Sequence, residues 1–166
     1  MSDTKYSKVA TGGTFDGLHA GHRRLLERGF QLGDEVVIGL TSDEFAREEG
    51  KAPEQPYERR KAELIAFIEK TFPGRRYAIA KLDDFFGPGI ASKDVQALVA
   101  SPETGKRVEL ANKLRADRGF PPLDLRVVDW VVAEDGKPIS STRIRNGEID
   151  EDGRLVGQRP GRREGR

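Results

Sequence analysis

Apolar residues fall along the chain in short runs that alternate between two spacings. Lys8-Val9-Ala10-Thr11 is a brief run that ends at Gly12-Gly13, which reads as a strand entering a tight turn. From His22 to Leu32, the residues Leu25, Leu26 and Phe30 recur at helical intervals until Gly33 stops the pattern. Val36-Val37-Ile38-Gly39-Leu40-Thr41 is apolar almost throughout, as a parallel strand covered on both faces must be. A second helix is predicted from Glu58 to Phe72, with Leu64, Ile65 and Ile68 on one face and Pro73-Gly74 closing it. Strands follow at Tyr77 to Leu82 and Ala97 to Ala100, then a helix from Pro102 to Arg118. Leu125 to Val132 is the last predicted strand, and a short helix begins at Ser140.

Strands alternating with helices imply right-handed crossovers, so the predicted class is α/β: a Rossmann-like parallel five-stranded sheet with helices on both faces. Such sheets bind ligands beyond the carboxyl ends of their strands, where strand order reverses. Gly12 to His22, Thr41 to Lys51 and Ser101 to Thr104 should therefore share one rim. Residues 1–150 are expected to form one domain. The stretch 151–166 is rich in Gly and Arg with almost no apolar content, and is expected to be a flexible tail.

Composition narrows the partners. In 166 residues, 29 Lys and Arg nearly cancel 28 Asp and Glu, so no global field draws in nucleic acid and any anion site must be local. The absence of cysteine excludes a disulfide framework, a thiolate metal site and a cysteine nucleophile. No apolar run approaches the roughly 20 residues needed to span a bilayer, and Met1 to Lys8 lacks an apolar signal core. A cytoplasmic protein without membrane contact is expected. No apolar stripe stands out as a partner surface, so a monomer is expected as well.

Two segments carry the chemistry. Thr11-Gly-Gly-Thr-Phe-Asp-Gly-Leu-His-Ala-Gly-His22 lies between the first strand and the first helix. Its glycines allow close backbone approach to a ligand, and the helix start beyond offers free N–H groups and a positive dipole. His19 and His22, three apart, would point to one place on the first helical turn, each able to donate to a phosphoryl oxygen and to carry charge near pH 7. A zinc site would need a third ligand, and these are the chain's two histidines. Neither a Gly-x-Gly-x-x-Gly turn nor a Gly-Lys-Ser/Thr loop is present at this turn. The second segment is Pro138-Ile-Ser-Ser-Thr-Arg-Ile-Arg145. Ser140, Ser141 and Thr142 suit a helix N-cap, but a cap needs one hydroxyl; three of them followed by Arg143 and Arg145 also suit a clamp on nucleotide phosphates.

Together, Gly-Thr-Phe-Asp-x-x-His-x-Gly-His and Ile-Ser-Ser-Thr-x-Ile-Arg resemble the paired motifs of the cytidylyltransferase-like nucleotidyltransferases. From Val9 to Arg145 the chain resembles the archaeal type of phosphopantetheine adenylyltransferase, through Thr41-Ser-Asp43, Lys51, Glu58-Arg-Arg60, Ser101-Pro-Glu-Thr104, Asn112-Lys-Leu-Arg115 and Gly119-Phe-Pro-Pro-Leu123. The resemblance implies attack of the 4'-phosphopantetheine phosphate on the α-phosphorus of ATP, giving dephospho-coenzyme A and pyrophosphate. It implies that His22 stabilises the α-phosphate, that His19 holds the triphosphate, and that Lys51 reaches both the attacking phosphate and the α-phosphate. Nucleotide contacts are implied at Gly13, Thr14, Phe15, His19, His22 and Ser101, with Ser140, Ser141, Thr142 and Arg145 on the β- and γ-phosphates. Acceptor contacts are implied at Thr14, Asp43 and Lys51. Mg²⁺ is the implied cofactor, carried by phosphates and water with no protein cage.

One departure is visible. Bacterial enzymes of this activity carry an Arg-Gly-Leu-Arg segment where this chain reads Ser101-Pro-Glu-Thr104, so those arginine roles do not carry over. Arg60, Lys106, Arg107 and Arg115 are candidates to replace them. Asp16 is expected to orient the turn, since a carboxylate beside phosphates is unfavourable unless paired. Two other functions stay open at this level. One is nucleotidyl transfer to a different phosphorylated acceptor, such as glycerol phosphate or nicotinamide or flavin mononucleotide. The other is a non-catalytic nucleotide-binding module on the same fold.

Overall fold

A computed structural model describes residues 5–84, 87, 92–129 and 131–156. Five strands form one sheet: β1 (Tyr6–Gly13), β2 (Gly33–Thr41), β3 (Arg76–Leu82), β4 (Ala97–Ala100) and β5 (Asp124–Val127). All neighbours are parallel, in the order β3-β2-β1-β4-β5. The chain leaves β1 toward β3, then returns to the other side of β1 for β4. Strand order therefore reverses at β1 and β4, and a crevice opens beyond their carboxyl ends.

Side chains alternate across this sheet, and the helices cover both of its faces. Val9, Val36, Ile38, Leu40, Ala97 and Val99 point to one face, where they pack with Leu26 and Phe30 of α1 (Ala20–Leu32) and Leu64 and Ile68 of α3 (Tyr57–Thr71). Ala10, Val37 and Leu98 point to the other, against Val108, Ala111 and Leu114 of α5 (Val108–Asp117). Leu64 is fully buried, so its truncation to Ala would cost about 2–5 kcal/mol. Among the described residues, no helix is long and apolar enough to cross a membrane.

Several predicted boundaries move, each for a local reason. α1 starts at Ala20, not at His22, because His19 caps it. A short helix not anticipated from the sequence, α2 (Asp43–Glu48), follows β2 and is capped by the Ser42 hydroxyl, which accepts from the Phe45 N–H at 3.0 Å. The helix predicted from Pro102 to Arg118 is two pieces, α4 (Pro102–Gly105) and α5, divided at the poor helix former Gly105. The last strand stops at Val127 because its neighbour β4 has only four residues to pair with it. Val131 then lines the crevice and Val132 meets Pro138 in an antiparallel bridge; Trp130, part of the predicted strand, lies outside the described residues. Leu125 and Val127 on this edge strand are exposed, a local departure from the expectation of no apolar surface feature.

The short helix near the end of the chain, α6 (Ser141–Arg145), begins as predicted, with Ser140 as its cap. Residues 151–156 were assigned to the tail, yet they join the fold. The Glu151 carbonyl accepts from the Ala20 N–H at 2.9 Å, Asp152 pairs with Arg23 at 2.6 Å, and Leu155 bridges to Ile149. Their anchors are mostly backbone and charged groups, which apolar composition does not register. Residues 157–166 lie outside the described residues.

Candidate active site

The turn from β1 into α1 contains three residues in the left-handed region: Phe15 at φ 51°, Gly17 at 83° and Leu18 at 38°. Glycine adopts this region freely, whereas Phe15 and Leu18 hold it only because their surroundings compel it. Phe15 is 1% exposed in the main core and Leu18 packs against the same cluster. This forced bend sets the two histidines.

His19 and His22 cap one another. The Gly21 and His22 N–H groups donate to His19 Nδ1 at 3.0 and 3.3 Å, and the His19 N–H donates to His22 Nδ1 at 3.2 Å. This is a capping box built from imidazoles in place of a hydroxyl and a carboxylate. The rings stack with centroids 3.7 Å apart. A nitrogen that accepts a hydrogen bond carries no proton, so both rings are held as the Nε2–H tautomer. Burial lowers the His19 imidazole from 6.5 to about 4, and the Arg23 charge adds to the effect. Burial also takes His22 well below 6.5, helped by His19 and then by Lys51. Both rings are thus neutral donors at pH 7, which corrects the expectation that either would carry charge there. Gly21 is required between them: a Cβ at this position would sit 2.8 Å from His19 Cε1.

The turn opens on a crevice of about 410 Å³. Gly13, Thr14, Asp16, His19 and His22 line it from the β1 side, Lys51 from the loop after α2, Ser101 and Arg107 from the β4 side, and Ser140, Ser141, Thr142 and Arg145 from α6. The Thr14 hydroxyl is buried there with no hydrogen-bond partner, so it is able to bond to an incoming oxygen. Ser140 Oγ accepts from the Arg143 N–H at 3.2 Å, and Thr142 Oγ1 accepts from Arg145 at 3.3 Å, so both hydroxyl protons are free to be donated. Ser141 differs, because its Oγ–H donates to the Asp16 carbonyl at 3.0 Å. Ser140 thus caps the helix as expected, while the Ser140 and Thr142 protons stay available on the crevice side.

A family model described as cytidylyltransferase-like matches residues 10–147. The chain belongs to the cytidylyltransferase-like family. Among relatives, a phosphopantetheine adenylyltransferase of Methanopyrus kandleri is 46% identical, over 89% of this chain and 93% of its own length. One of the same name from Methanothermobacter thermautotrophicus is 45% identical, over 92% of this chain and 91% of its own. A crystal structure of a protein of unknown function from Archaeoglobus fulgidus is 31% identical with a TM-score of 0.66, covering 74% of this chain and 89% of that one.

Within this family fold, several residues singled out from the sequence prove to serve the frame. Phe15 was expected to touch nucleotide, but its side chain is core, 5.2 Å from the His22 ring by centroids. Asp43 was expected to touch the acceptor, but it accepts from Arg60 Nη2 at 2.7 Å and from the Tyr57 N–H at 3.2 Å, away from the crevice lining. Burial alone would raise the Asp43 carboxyl, and these bonds outweigh it and hold the group below its ordinary value.

Arg60 and Arg115, offered as phosphate ligands, are 0% and 1% exposed. Arg60 donates to the carbonyls of Thr14 and Thr41 at 2.8 Å each and to that of Gln55 at 3.0 Å, joining the turn after β1, the end of β2 and the loop before α3. Arg115 donates to the carbonyls of Pro121, Ser92 and Val95. Lys106 is exposed and outside the crevice lining. Of the four candidates, Arg107 lines the crevice.

The residue whose importance sequence reasoning underrated is Asp16. It accepts from the Glu54 N–H at 3.0 Å, from the Gln55 N–H at 3.3 Å and from Arg145 at 3.0 Å. Its place inside the glycine-rich histidine motif was the available signal, since a carboxylate beside phosphates must be paired.

Proposed function

We propose that the protein transfers the adenylyl group of ATP to the phosphate of 4'-phosphopantetheine, forming dephospho-coenzyme A and releasing pyrophosphate. The observation that carries this reading is the mutual cap of His19 and His22, which fixes two neutral Nε2–H donors on a crevice also lined by Lys51 and the α6 hydroxyls. The names of the two archaeal relatives support the choice of acceptor.

An acceptor phosphate oxygen bonds to the α-phosphorus, the bond from that phosphorus to the bridging α,β-oxygen breaks, and the electron pair leaves with pyrophosphate. Negative charge grows on the α-phosphoryl oxygens during the transfer. Donors fixed in advance stabilise that charge without reorganising, so His22 Nε2–H would serve the α-phosphate and His19 the adjoining phosphates. Thr14 Oγ1 would meet an oxygen between the two substrates. The Lys51 ammonium would offset the repulsion of two approaching anions. Ser140 and Thr142 would donate to the β- and γ-phosphates, with Gly13, Ser101, Ser141 and Arg145 in the surrounding wall.

Mg²⁺ would arrive on the triphosphate and neutralise part of its charge. The Asp16 carboxylate, already engaged by three donors, would leave the ion to the phosphates and water. A cytoplasmic monomer drawing on the cellular ATP pool fits this chemistry.

The test is pyrophosphate release from ATP with 4'-phosphopantetheine, beside arms with CTP and glycerol phosphate and with ATP and nicotinamide or flavin mononucleotide. Turnover confined to another arm would replace the acceptor named here. His22→Ala should lower kcat by about 10²–10³-fold with ATP affinity little changed. An unaltered kcat would remove His22 from the chemistry.

A further inference from the structure

Two carboxylates meet the crevice beside cations. Asp16 pairs with Arg145 within the folded frame. The second pair is different: Arg107 Nη1 lies 2.8 Å from Glu49 Oε1, and the side chains are 49% and 31% exposed. Glu49 ends α2 on the β2 side of the crevice, and Arg107 is the N-cap residue of α5 on the β4 side. Both residues line the crevice, so the ion pair bridges it from one wall to the other.

Glu49 and Lys51 belong to a single turn. The Glu49 N–H donates to the Phe45 carbonyl, the Lys51 N–H donates to the Ala46 carbonyl at 2.8 Å, and Gly50 between them turns the chain at φ +80°. The guanidinium tied to Glu49 is therefore held at the Lys51 end of the crevice. A half-exposed carboxylate–arginine pair is weak, whereas a phosphate dianion offers the same guanidinium two parallel hydrogen bonds and twice the charge. The bridge is thus one that an incoming phosphate can displace.

Resting on the function proposed above, we infer that Arg107 is an acceptor-phosphate ligand and that Glu49 is its resident competitor. In the empty protein Glu49 holds Arg107 across the crevice. The acceptor phosphate takes over the guanidinium, and Arg107 and Lys51 then face the same dianion from opposite walls. Glu49, left without its partner beside that dianion, is repelled outward, and this favours the ligand-bound arrangement of the turn that carries Lys51. Selectivity follows, because a neutral acceptor does not displace the carboxylate.

The experiment compares steady-state kinetics and calorimetric binding of 4'-phosphopantetheine for wild type, Arg107→Ala, Arg107→Lys, Glu49→Gln and the double variant Glu49→Gln/Arg107→Ala. Arg107→Ala should raise the acceptor KM and Kd by about 10-fold or more while the ATP KM stays within about twofold, and Arg107→Lys should recover part of the loss. Glu49→Gln should act in the opposite direction, tightening acceptor binding by about two- to fivefold, and this gain should vanish in the Arg107→Ala background. Weaker acceptor binding in Glu49→Gln, or an equal gain with and without Arg107, would show a strap or a general charge effect and overturn the inference. An unchanged acceptor KM in Arg107→Ala would overturn it also. Wild-type protein that fails to turn over 4'-phosphopantetheine would instead overturn the functional reading beneath it.

Discussion

Arg145 Nη1 donates to Asp16 Oδ2 at 3.0 Å, joining residues 129 apart in sequence at the floor of the crevice. Asp16 is 6% exposed, and the same carboxylate accepts the N–H groups of Glu54 and Gln55. One side chain thus fixes the histidine turn, the loop leading from Lys51 and α6 relative to each other. Asp16→Asn keeps the shape but places an amide NH₂ against N–H donors. It should raise the ATP KM by about 10-fold and lower stability by about 1–3 kcal/mol. Initial rates and urea unfolding check this, and a double-mutant cycle with Arg145→Met should give clearly non-additive values.

Arg60 does not itself line the crevice, yet its guanidinium links Thr14, which does, with Thr41, Asp43 and Gln55. Removing one partner of a buried, fully bonded charge leaves the others unsatisfied. Arg60→Leu should cost about 3–5 kcal/mol of stability, visible as a large drop in the unfolding midpoint. An exposed pair such as Arg59 with Glu63 should change stability by less than about 1 kcal/mol when broken.

Acid should act through the histidine cap. Between about 4 and 6.5 the unfolded chain binds a proton at His19 that the folded protein refuses. The stability tied to neutral His19 is therefore complete above pH 6.5 and falls as pH drops toward 4, by up to about 3 kcal/mol. His22, depressed in the same direction, steepens the loss. Thermal melts from pH 7.5 to 4.5 should show the decline, and His19→Asn, which keeps a capping acceptor but does not titrate, should flatten it. Neutral donors also predict that kcat/KM for ATP does not fall between pH 6.5 and 8, as it would if a histidine had to be charged.

Gly21→Ala separates stability from activity. Alanine is the better helix former by about 1 kcal/mol, and its Cβ would press on the His19 ring at 2.8 Å. The ring must shift away from the position where it receives the helix N–H groups. Turnover should fall by at least about 10-fold while the melting temperature changes little, because the lost cap bonds offset the propensity gain. A variant with normal turnover would show that His19 is not held by that contact.

Hydrophobic spacing reveals β2, β3, β4 and α3 within a residue or three, because buried parallel strands and an amphipathic helix each impose a period that local sequence records. The same spacing misses α2 and the break at Gly105, where capping and turn chemistry decide over stretches too short for a period to register. It also places residues 151–156 outside the fold, because their anchors are backbone and charged groups on distant elements.

The histidine turn and the Ser-Ser-Thr segment, the parallel α/β class and the rim on which the crevice opens were determined by the sequence, since each follows from residue types at fixed local intervals. The tertiary structure decided which polar groups are left for a ligand. Arg60, Arg115 and Asp43 look in sequence like site residues, and folding turns them inward to satisfy carbonyls or one another. Asp16, Arg145, Glu49 and Arg107 acquire their partners only when strands distant in sequence become neighbours at the point where sheet order reverses. A charged side chain's role depends on what it meets once water is removed, and that meeting is long-range.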